Sequence, residues 1–136
     1  MITALYAGLL AILLFVLSIR VIGLRGNPAF SFIAHGKGDE ELLQRAIRAH
    51  GNFTEYVPMM LILSAFLELS DASDLQLHLL GGAFLLGRVM HGICMGFMRS
   101  NVPLRVGGTA LTLFPLVAAA IALIAPYLAY LLSPWL

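Results

Sequence analysis

The chain has 136 residues, of which 60% are hydrophobic and 11% charged, with a mean hydropathy of +0.94. An average soluble domain is roughly 45–50% apolar and about 25% charged, so these numbers exclude a soluble monomer and an intrinsically disordered chain. The single cysteine, Cys94, excludes an intramolecular disulfide, and a net charge of +1 is too small for electrostatic binding to nucleic acid. What remains is one domain, residues 1–136, embedded in a membrane.

A spanning helix needs roughly 20 apolar residues. Four segments meet that requirement in chain order, at about 2–24, 50–70, 75–98 and 107–132. The first carries no charge before Arg20, and it lacks the basic n-region and small-residue cleavage site of a signal peptide. The second runs to Glu68, and Asp71 and Asp74 crowd the short turn into the third. The fourth holds Pro115 and Pro126, which membrane helices tolerate better than soluble ones. The expected fold is therefore all-α, an integral membrane four-helix bundle with one loop of moderate length between its first two spans.

The basic residues set the expected orientation. The first loop and its flanks carry Arg20, Arg25, Lys37, Arg45 and Arg48, and the third loop carries Arg99 and Arg105. The second loop and both termini carry none. By the positive-inside rule, loops one and three are cytoplasmic and both termini face the other side. Arg88 alone falls inside a span.

Charges are costly in hydrocarbon, so those within or beside the spans are the informative ones. Arg48, Asn52 and Glu55 fall on one stripe at the start of the second helix, with Tyr56 beside it and Met59 continuing it. An arginine fork, an amide and a carboxylate on one face suit a zwitterionic ligand. An interfacial helix end with snorkelling side chains fits the same spacing. Pro58 frees the carbonyl of Thr54 and favours a kink next to the stripe. On the third helix Arg88 and His91 share a face with Met95, and Arg88 lies roughly 15 Å from the cytoplasmic end by helix rise. Glu55 is the acid nearest in depth, which predicts an Arg88–Glu55 pair joining helices two and three. His50 and His91 differ in depth by about 10 Å, which argues against bis-histidine haem ligation. No cluster at metal-ligand spacing is present. Gly87, Gly92 and Gly96 allow close helix approach, Gly92 and Gly96 at a Gly-x-x-x-Gly spacing, and Ala118, Ala122, Ala125 and Ala129 offer a second small face.

The run Arg48-Ala-His50-Gly-Asn52-Phe-Thr54-Glu55-Tyr56-Val-Pro58 resembles the signature of the MAPEG superfamily, the membrane-associated proteins in eicosanoid and glutathione metabolism. Arg88-Val-Met-His91 is similar to the Arg-x-x-His of its prostaglandin E synthase branch, and Arg105, two residues after Pro103, resembles that branch's thiol-activating arginine. The resemblance covers essentially the whole chain and looks most like a bacterial inner-membrane member. It implies a homotrimer in the lipid bilayer that binds glutathione in cytoplasmic-side clefts between subunits. Carried over, Arg48, Asn52 and Glu55 hold the glutathione backbone, with Tyr56 beside them and Arg20 or Arg25 and His50 as further candidates. Arg88 and His91 line the cleft, and Arg105 stabilises the thiolate that attacks a lipophilic electrophile. Two positions depart from the pattern. Met95 stands where a tyrosine is common, and Gly51 where some enzymatic members have a basic residue. The implied activity is that of a glutathione transferase or peroxidase. A non-catalytic lipid-binding or scaffold protein is the alternative, and a small four-helix exporter a third, disfavoured by a first helix without an acid.

Overall fold

The computed structural model describes residues 1–133; the last three residues of the single domain expected from the sequence lie outside that range. Every regular element among the described residues is helical. The long helices are α1 (Ile2–Leu24), α2 (Glu40–Leu69), α3 (Asp74–Phe97) and α4 (Val102–Leu132), and a 3-10 turn at Pro28–Ile33 follows α1.

α2, α3 and α4 each start where the sequence supplies a cap. Asp39, Ser73 and Asn101 accept hydrogen bonds from the backbone N–H of Leu42, Gln76 and Leu104, at 3.2, 3.2 and 3.0 Å. The first turn of α1 has no side-chain cap of its own. Glu68, at the far end of α2, caps it instead by accepting from the N–H groups of Ile2 and Thr3. Two starts differ from the apolar segments: α2 begins at Glu40 and α4 at Val102, because the caps lie outside the apolar stretches that hydropathy detects.

α1, α3 and α4 are long and apolar enough to cross a membrane. α2 has 30 residues, ample length, but its stretch from Glu40 to Glu55 carries Glu40, Glu41, Arg45, Arg48 and Glu55. It packs against each of the other three helices, around a core of Leu10, Leu17, Phe53, Met60, Phe84 and Ala119. Large apolar side chains such as Phe15, Phe66, Leu86, Phe114 and Ile121 stay exposed, which an aqueous surface would not tolerate at this density.

At the α3–α4 crossing the helices meet backbone against glycine. A Cβ on Gly87 would stand 2.7 Å from the Leu111 carbonyl carbon, and one on Gly108 2.8 Å from the His91 backbone nitrogen. The Gly92 and Gly96 positions face Leu17 of α1 at ordinary contact distances of 3.5 and 3.6 Å. The tight approach therefore belongs to the Gly87–Gly108 pair and not to the Gly-x-x-x-Gly spacing.

Candidate functional site

Two buried arginines organise the end of the bundle that holds the loop after α1. Arg20, 1% exposed, donates from Nε to the carbonyl of Gly96 at 2.9 Å and from Nη1 to the carbonyls of Ile33 and His35. It ties the 3-10 turn to the last turn of α3, with its guanidinium 5.1 Å from the Phe97 ring centroid. Arg45 of α2 completes the capping of α3 by donating to the carbonyls of Met98 and Cys94 at 3.1 and 2.9 Å. α3 has no basic residue in its own last turn, so its orphan carbonyls are satisfied from α1 and α2. Arg20 is thus committed to the backbone and is withdrawn as a ligand contact.

Deeper in the bundle, Arg88 of α3 is also 1% exposed. It donates to Asn52 Oδ1 of α2 at 3.0 Å and to Thr112 Oγ1 of α4 at 3.3 Å, with His91 Nδ1 at 3.4 Å. The Thr112 hydroxyl donates its own proton to the Gly108 carbonyl at 2.7 Å, so its oxygen is free to accept. The rings of Phe53 and Tyr56 lie 5.6 and 5.9 Å from the guanidinium carbon. The expected Arg88–Glu55 pair is absent: the ion pairs among the described residues are Met1–Glu68 and Asp39–Arg99. Glu55 lies on the outer side of the α2 stripe, exposed, and Asn52, one turn earlier, takes the inward position that reaches Arg88.

The sequence stripe does line one concave surface. Arg48, Gly51, Asn52 and Glu55 from α2 and His91 and Met95 from α3 surround a pocket of about 380 Å³. Asn52 and His91 also line a smaller, partly open cavity of about 40 Å³ with Tyr56, Arg88, Thr109, Thr112 and Leu113, so these two side chains form the wall between them. His50 and Arg25 are elsewhere. They line a separate pocket of about 270 Å³ between α1 and α2 with Ser18, Val21, Ile22 and Ile47. There His50 Nε2 lies 3.1 Å from Ser18 Oγ, whose proton goes to the Leu14 carbonyl, so His50 is the donor. Arg105 is exposed and lines neither pocket; it is one turn before Thr109, which donates to its carbonyl at 2.8 Å. Sequence reasoning missed Thr112 altogether, because a threonine in an apolar helix carries no signal until α4 is placed against Arg88. No cluster of metal-ligating side chains occurs among the described residues.

An all-helical chain with three membrane-length helices and a walled polar pocket at one end defines an integral membrane protein with a ligand-sized site. Its kinship is specific. The family model of the MAPEG family matches residues 3–125, and the chain belongs to that family. It is 42% identical over 91 residues to "Inner membrane protein YecN" of Escherichia coli strain K12, covering 67% of each chain. The same identity and coverage hold for the YecN protein of Escherichia coli O6:H1. Comparison with solved structures found no match.

Proposed function

We propose that this protein is a bacterial inner-membrane homotrimer that binds glutathione at the pocket of Arg48, Asn52, Glu55 and His91 and conjugates it to, or uses it to reduce, lipophilic electrophiles. Four spans, with both termini away from the cytoplasm, complete the reading: α2 crosses with its polar half at the cytoplasmic end. The observation that carries it is the convergence of a guanidinium, an amide and a carboxylate on one pocket of about 380 Å³, a volume typical of small-molecule sites.

The residues suit glutathione, a zwitterion with two carboxylates, one ammonium and a thiol. Arg48 is exposed and offers its fork to a carboxylate. Asn52 spends its oxygen on Arg88, which orients its NH2 as a donor. Glu55 accepts from the ammonium. The unpartnered Nε of buried Arg88 adds donor capacity behind this wall. When bound, glutathione supplies a thiol nucleophile. Arg105 acts on it by favouring the thiolate through its positive charge. It lies outside the pocket of the single chain, as do Arg25 and His50, so the cleft is completed by the contact between subunits. The electrophile enters sideways from the lipid, past Met95.

Binding of glutathione to the detergent-purified trimer, read by calorimetry, tests the first half: Arg48→Ala and Asn52→Ala should each weaken it about tenfold or more. Conjugation of a model electrophile by Arg105→Ala tests the second; an unchanged rate removes the catalytic assignment. A non-catalytic lipid-binding role has one observation in its favour. Met95 lines the pocket where a tyrosine would donate a hydrogen bond, and a thioether packs on an acyl chain instead.

A further inference from the structure

Arg88 poses a charge problem that the single chain does not solve. Arginine stays protonated in proteins, so it cannot shed its charge on burial, and an unpaired ion away from water costs several kcal/mol. Arg88 is 1% exposed, lies nine residues before the end of α3 and forms no ion pair among the described residues. All three of its hydrogen-bond partners are neutral oxygen or nitrogen atoms of side chains, and Nε has none.

Arg20 serves as an internal comparison. It is equally buried and also leaves one nitrogen, Nη2, without a partner, but it meets three backbone carbonyls, one of them at the negative end of α3. Arg88 sits in mid-helix, away from any helix end.

The inner cavity beside Arg88 supplies what is missing. Its volume of about 40 Å³ exceeds the roughly 10–15 Å³ that one water requires, and a halide is little larger than a water. Its lining residues include four that carry hydrogen-bond donors, Asn52, Tyr56, Arg88 and His91, and one apolar side chain, Leu113; the Arg88 Nε–H has no partner. The two threonines in the wall have already given their protons to the carbonyls of Arg105 and Gly108. No carboxylate lines the cavity. A donor-rich chamber with one fixed positive charge and no acid selects an anion over a cation.

We propose that this cavity binds a single small inorganic anion, chloride under physiological conditions, as the counter-ion of Arg88. The bound ion joins α2 and α3 through Asn52, Tyr56 and Arg88 and holds the Asn52–His91 wall in place. The proposal shares Asn52, Arg88 and His91 with the glutathione reading, but its test contains no thiol and can fail or succeed separately.

The full-length protein in neutral detergent is melted in sodium chloride and in sodium gluconate at equal ionic strength, gluconate being too large for the cavity. Chloride should raise the melting temperature by about 3–8 °C, and Arg88→Gln should abolish the difference. Tyr56→Phe, which keeps the ring and removes one donor, should raise the chloride concentration at half-effect about tenfold. Crystals grown in bromide should show an anomalous peak beside Arg88 Nε. Equal melting in both salts, or an equal chloride rise in Arg88→Gln, overturns the proposal. So does a wild-type protein that ignores chloride while Glu55→Gln responds to it, because Glu55 is then the counter-ion.

Discussion

Replacing Gly108 by alanine tests how the α3–α4 crossing holds the polar network. The new methyl carbon would stand 2.8 Å from the His91 backbone nitrogen, 3.0 Å from the Gly87 carbonyl oxygen and 3.1 Å from the His91 Cβ. Carbon contacts are comfortable at about 3.5–4.0 Å, so the helices must part by roughly 0.5–1 Å, and two of the three obstructing atoms are backbone that cannot rotate aside. Overpacking of this kind costs about 1–3 kcal/mol. The gain in helix propensity from glycine to alanine, about 1 kcal/mol, offsets part of it, leaving a net loss of about 0–2 kcal/mol. The separation would also lengthen the 3.3 Å bond between Arg88 and Thr112, which is already at its limit and whose loss adds about 1 kcal/mol or more. Two glycines serve as controls. An alanine at Gly51 meets nothing within 4 Å, and one at Gly92 meets Leu17 at 3.5 Å, so both should melt at or above the wild-type temperature. Cys94 is the only cysteine and is fully buried, which makes thiol labelling during a thermal ramp a direct reporter of unfolding. Gly108→Ala melting at or above wild type would refute the claim that the crossing is closed by backbone contact.

Other consequences follow from the same contacts. Arg20→Met keeps an unbranched apolar stem but abandons three carbonyls. It should cost about 2–4 kcal/mol and speed Cys94 labelling in the native state, since the last turn of α3 loses a cap. Asp39→Ala removes both the α2 cap and the 2.8 Å ion pair with Arg99, and should lower stability by about 1 kcal/mol. Arg99→Ala removes only the ion pair, whose arginine is 79% exposed, and should change stability by less than about 0.5 kcal/mol at physiological salt. A chemical-denaturation midpoint distinguishes the two, and an equal loss in both would mean that the ion pair outweighs the cap.

The helices were legible because apolar length survives any detail of packing, and their starts were less so because a cap is a single polar residue outside the apolar stretch. The Arg48, Asn52 and Glu55 stripe was legible for a related reason: residues on one helix keep their relative faces wherever the helix is placed. What failed needed a second helix. Charge complementarity assigned Glu55 to Arg88, but one turn of α2 separates the inward Asn52 from the outward Glu55, and depth alone does not report rotation about the axis. His50 follows Arg48 by two residues, about 200° around the helix, which puts it on the α1 side with Arg25 and Ser18. Arg20 read as a ligand candidate by its position at the end of α1. Its commitment to Ile33, His35 and Gly96 depends on how the 3-10 turn folds back, which no periodicity encodes.

The central claim is that the α2 stripe is a binding surface and not a snorkelling helix end. Calorimetric titration of glutathione into the purified wild-type protein and Arg48→Ala tests it most directly. Saturable binding to wild type, weakened about tenfold or more in Arg48→Ala with the melting temperature retained because Arg48 is exposed, is the expected result. No heat of binding to well-folded wild-type protein, or equal affinity in both, contradicts it.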